Sequence, residues 1–333
     1  MMKNIVVIYN HPDIDIKDGN LNISPEDQDT LIGAKKIYNT LGKMGYKVTI
    51  KGIKAIEMED SIRNIPKETL IFNNCEWTGK NSQVPIEMLK IFAEEGRVYT
   101  GCSWKDYEWS MEKQKTKEAL EIFNFPLLNS TIYENGKLLN GNDLCFPAIV
   151  KTNKEHCSVG LDEDSVVYDL PSALNKADQL YQQYQQPILV EEFAEGNEYQ
   201  VFVFDTPQGL VTLPAYETIY KFSNKPVLIT FEDNWINESV NNKVSYIGRM
   251  KDKQKEIKIT NLARDIFTKM KIRGYIRIDF REKDGKLYVL EVNTNPAISW
   301  TDELDFIRVC GEAAGLDYQG LLDLVLSGAK SGV

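Results

Sequence analysis

Tyr275-Ile276-Arg277-Ile278-Asp279-Phe280-Arg281, then Lys283-Asp284-Gly285, then Lys286-Leu287-Tyr288-Val289-Leu290-Glu291-Val292-Asn293, reads as a β-hairpin that sorts its residues onto two faces. Gly285 suits the left-handed position of a three-residue loop. Such a loop pairs position 282 with 286 and sets odd-numbered residues opposite odd-numbered ones. Because side chains alternate along a strand, Arg277, Asp279, Glu291 and Asn293 then share one face. The other face carries Ile276, Ile278, Phe280, Tyr288, Leu290 and Val292 and is fit for a core. Two carboxylates and an amide oxygen gathered on a strand pair suit a hard cation such as Mg²⁺, which fills the rest of its shell with water and nucleotide phosphates. Arg277 beside them can steady a developing oxyanion. A hairpin with one wetted polar face would alternate in the same way; the ending Asn293-Thr294-Asn295-Pro296 is what favours a site.

Upstream, Lys151 ends the apolar strand Pro147-Ala148-Ile149-Val150, where it can reach phosphate oxygens as a point charge. The polar loop 153–160 follows, and its Ser158 and Gly160 can offer backbone N–H groups to phosphates. Lys113 opens a helical stretch, Ser110–Phe123. Ile188-Leu189-Val190-Glu191-Glu192-Phe193, followed by Glu198, supplies acceptors for an adenine amino group and ribose hydroxyls. Taken singly, each of these residues also fits a surface lysine or an exposed acidic turn.

The first hundred residues alternate strand and helix. Ile5–Tyr9 is a short β-branched run of the buried parallel type. Ser24-Pro25-Glu26-Asp27 starts a helix, Leu31, Ala34, Ile37, Leu41 and Met44 give its apolar stripe, and Gly45 stops it. Strands follow at Tyr46–Lys51, Thr69–Phe72 and Val98–Thr100. Further on come a helix at Ser172–Gln183, a strand at Ile188–Phe193 opening a third unit, and a strand at Glu198–Phe204. A long irregular stretch covers 216–250, then helices span Ile257–Met270 and about 319–327. No GxGxxG follows the first strand and no GxxxxGK[ST] occurs, which sets aside a Rossmann dinucleotide site and a P-loop.

The chain has 333 residues, enough for two or three units with real cores. Lys plus Arg is 39 against 49 Asp plus Glu, a net charge of −10, which disfavours a dedicated nucleic-acid binder. An anionic ligand would need local cations. No apolar run approaches the roughly 18 residues of a membrane span. Five cysteines without CxxC spacing read as free thiols of a reducing cytoplasm, and two histidines leave little room for a multi-histidine metal centre.

In order, these pieces are a lysine before a helix, a strand lysine with a Ser158-Val159-Gly160 loop, Glu191-Glu192-Phe193, Arg277-Ile278-Asp279, and Glu291-Val292-Asn293-Thr294-Asn295-Pro296. Together they resemble the ATP-grasp enzymes, and within them the D-alanine–D-alanine ligase group. Ser110-Met111-Glu112-Lys113 resembles that group's Ser-Met-Asp-Lys motif, and residues 71–76 and 99–103 its N-terminal segments. The likeness runs over roughly 69–320.

The resemblance implies three α/β domains, here 1–105, 106–187 and 188–333, with ATP gripped between the last two. It implies Lys113, Lys151 and the Ser158 loop at the ATP phosphates, Glu191 at adenine and Glu198 at ribose. Asp279, Glu291 and Asn293 would hold two Mg²⁺, and Arg277 would stabilise the tetrahedral oxyanion. The implied reaction phosphorylates a small-molecule carboxylate, and an amine then displaces phosphate to give an amide. Homodimers are usual in the family.

The departures lie in the substrate segments. Asn10-His11-Pro12-Asp13 stands where the dipeptide ligases carry Ser-x-Glu, and Cys157 replaces a substrate-positioning serine. The stretch 216–250 has no counterpart of the family's Tyr- and Lys-bearing loop, and Ala297-Ile298 stands where the family has Gly-Met. Asp302, Glu303 and Asp305 fall where the second substrate's carboxylate is received. Carboxylates there would repel a carboxylate and suit a cation, pointing to an acceptor other than D-alanine; the same residues would also cap the next helix. A carboxylate–thiol ligase, a carboxylate kinase, or a nucleotide-binding protein without catalysis are the alternative readings.

Overall fold

The computed structural model describes residues 4–11, 15–17, 20–22, 25–77, 81–139, 144–155, 158–221, 227–230, 232–233, 243–300 and 305–331. The chain begins with β1 (Asn4–Asn10), the ribbon β2 (Asp15–Lys17) and β3 (Asn20–Asn22), α1 (Pro25–Lys43) and β4 (Lys47–Ile53). There follow α2 (Met58–Arg63), β5 (Leu70–Asn74), α3 (Val84–Glu94) and β6 (Val98–Tyr99). Next come α4 (Trp104–Ser110), α5 (Lys113–Glu121), β7 (Ser130–Glu134), β8 (Lys137–Leu138), β9 (Ala148–Thr152), β10 (Val166–Val167), α6 (Leu170–Tyr184) and β11 (Ile188–Glu192). The last part holds β12 (Glu198–Thr206), β13 (Gly209–Thr212), β14 (Tyr216–Tyr220), β15 (Val244–Arg249), α7 (Lys253–Lys269), β16 (Tyr275–Lys283) and β17 (Lys286–Asn293). It closes with α8 (Phe306–Ala313), α9 (Tyr318–Ser327) and β18 (Lys330–Ser331).

These strands make three main sheets, ordered β18-β6-β5-β1-β4, β10-β9-β11-β7-β8 and β15-β14-β12-β16-β17. In the first, β1 runs parallel to β4 and β5 and is covered on both sides, as its β-branched run predicts. Ile5 and Val7 face α1, and Val6 and Ile8 face the core under α2 and α3. The helical stripe of α1 buries Ala34, Ile37 and Leu41, and Gly45 sits at φ +90° past the helix end. The Ser24 cap expected for this helix lies outside the described residues.

Three expectations change. The helix expected over Ser110–Phe123 begins only at Lys113, and Ser110 ends a separate helix, α4. Ser103 and Asp106 form a reciprocal capping box at the start of α4, and Glu112 turns extended between the helices. Residues 216–250 contain a paired ladder, β14 with β15. The strand assigned by its pattern to the third unit, β11, lies at the centre of the second sheet between β9 and β7. The second unit's own sheet therefore runs through Glu192, five residues past the expected division at 187.

The hairpin also differs in its turn. Lys283 pairs with Lys286, so the loop is two residues, Asp284 at φ 51° and Gly285 at φ 72°. Both values are positive, as a type I′ turn demands, and Asp-Gly is the dipeptide that tolerates it. Alone, this turn would set odd residues against even ones. An irregularity beyond Asp279 absorbs the extra residue, Leu290, and returns odd residues opposite odd ones as Arg277↔Asn293 and Asp279↔Glu291, where the expected loop would have set Arg277 against Glu291. The polar face survives for this reason, and the apolar face changes. Val289 joins Ile276, Ile278, Phe280 and Val292 in the core against Ile259, Ala263 and Ile266 of α7, while Tyr288 and Leu290 stay half-buried. A one-residue slip would turn this apolar set outward, and each such side chain contributes about 1.5–3 kcal/mol by burial.

Gly274 joins the first and third units. Its φ is +78°, and a Cβ there would lie 2.3 Å from the Gly101 carbonyl oxygen. Gly285 is left-handed too but has open space around it. Gly285→Ala is expected to cost about 1 kcal/mol from the positive φ alone, and Gly274→Ala about 3 kcal/mol because a backbone clash is added. Urea unfolding of the two variants tests the difference; equal costs would show that the Gly101–Gly274 approach is not tight.

Candidate active site

One cavity of about 520 Å³ lies between facing surfaces of the second and third sheets. Ile149, Lys151 and Glu191 line one wall, on adjacent strands β9 and β11. Glu198 and Gln200 of β12, Arg277, Asp279 and Arg281 of β16, and Glu291 and Asn293 of β17 line the other. The register makes this second wall continuous: Glu198 pairs with Arg281 and Gln200 with Asp279. Glu76, Tyr107, Ser110 and Lys113 also line the cavity, as do Leu228 and Ile229.

The break between α4 and α5 places Lys113. Its backbone N–H donates to the Asn153 carbonyl at 2.9 Å, and the next N–H, of Gln114, donates to Asn153 Oδ1 at 2.9 Å. The start of α5 is thus docked on the loop after β9, and Lys113 points into the cavity beside Lys151, its Nζ donating to the Glu155 carbonyl. Burial lowers the pKa of the Lys113 ammonium, while Glu291 across the cavity draws it back up.

Glu191 is buried, at 1% exposure, between two cations: Lys117 Nζ lies 2.5 Å from Oε1 and Lys151 Nζ 2.6 Å from Oε2. Burial by itself would raise this carboxyl, but the two ammonium groups bring it down to about 2. On the opposite wall Arg277 grips Asp279 through two hydrogen bonds, Nε to Oδ1 at 2.7 Å and Nη2 to Oδ2 at 2.8 Å. Asn293 Nδ2 stands 3.5 Å from the same Oδ2. Burial pushes the Asp279 carboxyl above the usual range against the pull of Arg277, and Glu291 adds to the rise.

The Asn293–Pro296 ending is anchored to residues of all three units. The Ser110 and Thr294 hydroxyls are 2.8 Å apart, Tyr275 OH donates to Asn295 Oδ1 at 3.3 Å, and Asn295 Nδ2 donates to the Cys75 carbonyl at 3.5 Å. Ser158, at φ 62°, lines the cavity and donates through Oγ to the Ile229 carbonyl at 3.3 Å. Glu198 is paired with Arg281 at 2.8 Å.

Lys113, Lys151, Ser158, Glu191, Glu198, Arg277, Asp279, Glu291 and Asn293 thus meet around one cavity. Asp305 does not line it: its carboxylate caps α8, accepting from the Ile307 N–H at 3.3 Å, the helix-cap role open to it from sequence. Cys157 and Asp302 lie outside the described residues. Lys117 and Arg281 are additions. Lys117 stands one helical turn from Lys113 on the same face, and Arg281 continues the odd-numbered face of β16, so periodicity pointed to both. Nothing in the sequence marks Phe306, whose ring lies 5.6 Å from the Arg277 guanidinium. The four described cysteines, Cys75, Cys102, Cys145 and Cys310, form no disulfide with one another, and no helix among the described residues is long and apolar enough to cross a membrane.

The profile of the family described as D-ala D-ala ligase C-terminus matches residues 119–327. The D-alanine–D-alanine ligase of Marinomonas sp. is 27% identical over 253 residues, covering 73% of this chain and 71% of that protein. That of Fervidobacterium nodosum is 24% identical over 326 residues, 92% and 96% of the two chains. Among solved structures, the Bacillus anthracis D-alanine–D-alanine ligase complexed with ATP superposes with a TM-score of 0.72 at 18% identity, over 98% of this chain and 97% of that one. The VanG D-Ala:D-Ser ligase of Enterococcus faecalis gives 0.72 at 17%, over 98% and 99%. The three sheets with a cavity between the second and third are therefore the ATP-grasp fold, and the chain belongs to the D-alanine–D-alanine ligase family of ATP-dependent ligases that form amide bonds.

Proposed function

We propose that this chain uses ATP to phosphorylate the carboxylate of a small amino-acid-like donor and passes the acyl group to an amine. The observation that carries this reading is the opposition of two walls, lysines on one and paired carboxylates with Arg277 on the other. A triphosphate lying between them meets Lys113 and Lys151, with the Ser158 loop beside it. Glu191 accepts from the adenine amino group and Glu198 from the ribose hydroxyls. The donor carboxylate attacks the terminal phosphorus, giving ADP and an acyl phosphate. The amine then adds to the acyl carbon, and Arg277 steadies the oxyanion before phosphate leaves.

Asp279, Glu291 and Asn293 fit a magnesium site. They supply two carboxylates and an amide oxygen from adjacent strands, and the Asp279–Glu291 pair carries like charges that a divalent cation relieves. Magnesium, when bound, supplies positive charge to the phosphates; the family's usual complement is two ions. Lys117 has a role beside them. When Lys151 turns to phosphate, Lys117 keeps the buried Glu191 neutralised.

The division between the central and C-terminal units is placed after Glu192. The acceptor is read from Asp302 and Glu303 as an amine with a further amine or without a free carboxylate. The cytoplasm and a homodimer are the setting in keeping with the family.

An ADP-release screen over paired amino acids, D-amino acids and diamines tests the proposal, with hydroxylamine trapping to detect the acyl phosphate before amine is added. No ADP from any carboxylate–amine pair despite tight ATP binding would overturn it. D-alanine as the best acceptor would overturn the acceptor reading alone. Arg277→Met should lower turnover about 10²–10³-fold with ATP affinity changed less than about threefold; an equal loss in both would place Arg277 in nucleotide binding instead. Lys117→Met should weaken ATP binding about tenfold, because Lys151 is then held by a buried carboxylate. It should also raise the pH of acid unfolding. Glu191, near 2 against an ordinary 4.5, contributes stability above pH 4.5 that is lost as pH falls toward 2, and removing one cation moves that lower limit upward. An unchanged acid midpoint would count against the pairing.

A further inference from the structure

Arg281 has no part in the chemistry described above, yet it is among the most heavily engaged side chains of the cavity wall. It is 5% exposed and lies on the same strand face as Arg277 and Asp279. Its guanidinium reaches three acceptors on two separate segments. Nη1 donates to Glu198 Oε1 at 2.8 Å, Nε to the Gly196 carbonyl at 3.2 Å, and Nη2 to the Val227 carbonyl at 2.7 Å. The rings of Phe193 and Tyr220 lie 4.6 and 4.9 Å from its centre. Phe193, Gly196 and Glu198 belong to the passage from β11 to β12, and Val227 precedes Leu228 and Ile229, which line the cavity. Gly196 is itself pressed against β16, for a Cβ there would lie 2.4 Å from the Glu282 carbonyl oxygen.

A planar guanidinium that donates three hydrogen bonds and packs against two rings is fixed in orientation, so the carboxylate it grips is oriented as well. We propose that Arg281 is the positioning residue for ribose recognition: it fixes the Glu198 carboxylate to accept the nucleotide's sugar hydroxyls and ties that contact to the cavity-lining segment at Val227. The proposal rests on the reading that puts Glu198 at the ribose. An ammonium in its place could not serve three acceptors at these spacings from one plane. An apolar side chain would leave Glu198 unoriented.

The test is direct nucleotide binding by calorimetry on the full chain with magnesium, comparing ATP with 2′-deoxy-ATP and 3′-deoxy-ATP. The unaltered chain should prefer ATP about tenfold or more, the scale of a hydrogen bond to a charged acceptor. In Arg281→Met the preference should collapse below about threefold. Arg281→Lys, which keeps the charge and the stem, carries the same expectation where the Met variant fails to fold. Joining Glu198→Gln to either variant should remove no further discrimination. A variant that binds all three nucleotides more weakly but keeps the original ratio would show a merely structural Arg281 and overturn the proposal. Equal binding of ATP and its deoxy forms by the unaltered chain would overturn the ribose reading of Glu198, and the proposal with it, before any variant is made.

Discussion

Asp279 and Glu291 face each other across β16 and β17, and Arg277 and Asn293 do so two pairs further along. Two carboxylates brought this close repel, and Glu291 adds to the rise that burial imposes on the Asp279 carboxyl. Such a pair persists only where the backbone enforces it and something positive offsets it. The backbone enforces it through the two-residue turn and the compensating irregularity at Leu290, with the apolar face of the same strands locked onto α7. The offset is Arg277, bound to Asp279 by two hydrogen bonds. Every role assigned to the third sheet depends on that register, since a shift of one residue would bury the charges and expose the core.

The opposite wall solves the converse problem. A chain with a net charge of −10 gathers Lys113, Lys117 and Lys151 within reach of one cavity. Three ammonium groups alone would repel each other and resist burial. Glu191 relieves this by standing between Lys117 and Lys151. The same arrangement suits exchange, because a polyanion approaching Lys151 meets a cation already desolvated, and the partner it leaves behind still has Lys117.

The parts of this site that follow the period of a strand or helix were legible in the sequence. The grouping of Arg277, Asp279, Glu291 and Asn293, the lysine ending β9 and the covered first strand all rest on alternation and apolar runs. What escaped depends on geometry that a linear pattern does not carry. A three-residue loop and a two-residue turn plus a bulge leave the same four residues on one face, so the polar pattern could not tell them apart; the burial of Val289 in place of Leu290 does. The sheet membership of β11 is set by pairing with β7 and β9, strands more than thirty residues upstream. The engagement of Arg281 joins residues 196, 198 and 227 through space.

The apolar cores are divided unequally, and this bears on how the two walls relate. Ile5 and Val7 of β1, the stripe of α1, Phe202 and Phe204 of β12, and Leu321 and Leu322 of α9 share one cluster, so the first and third units are packed as one mass. β18 adds to this by pairing with β6. The second sheet is packed differently: its cluster draws on residues from Tyr133 to Val190, which are its own strands and α6. The wall bearing Lys151 and Glu191 therefore rests on a separate core from the wall bearing Asp279 and Glu291. Polar contacts cross between the walls, such as Lys283 to Glu192 at 2.5 Å and Ser158 to the Ile229 carbonyl, while Leu120 and Phe125 join the second unit to the third sheet's core. Polar contacts of this kind contribute little individually, whereas a nucleotide with its phosphates on Lys113 and Lys151 and its ribose on Glu198 would touch both cores at once. Binding energy gained at such a cavity would then add to the contacts that hold the two walls together.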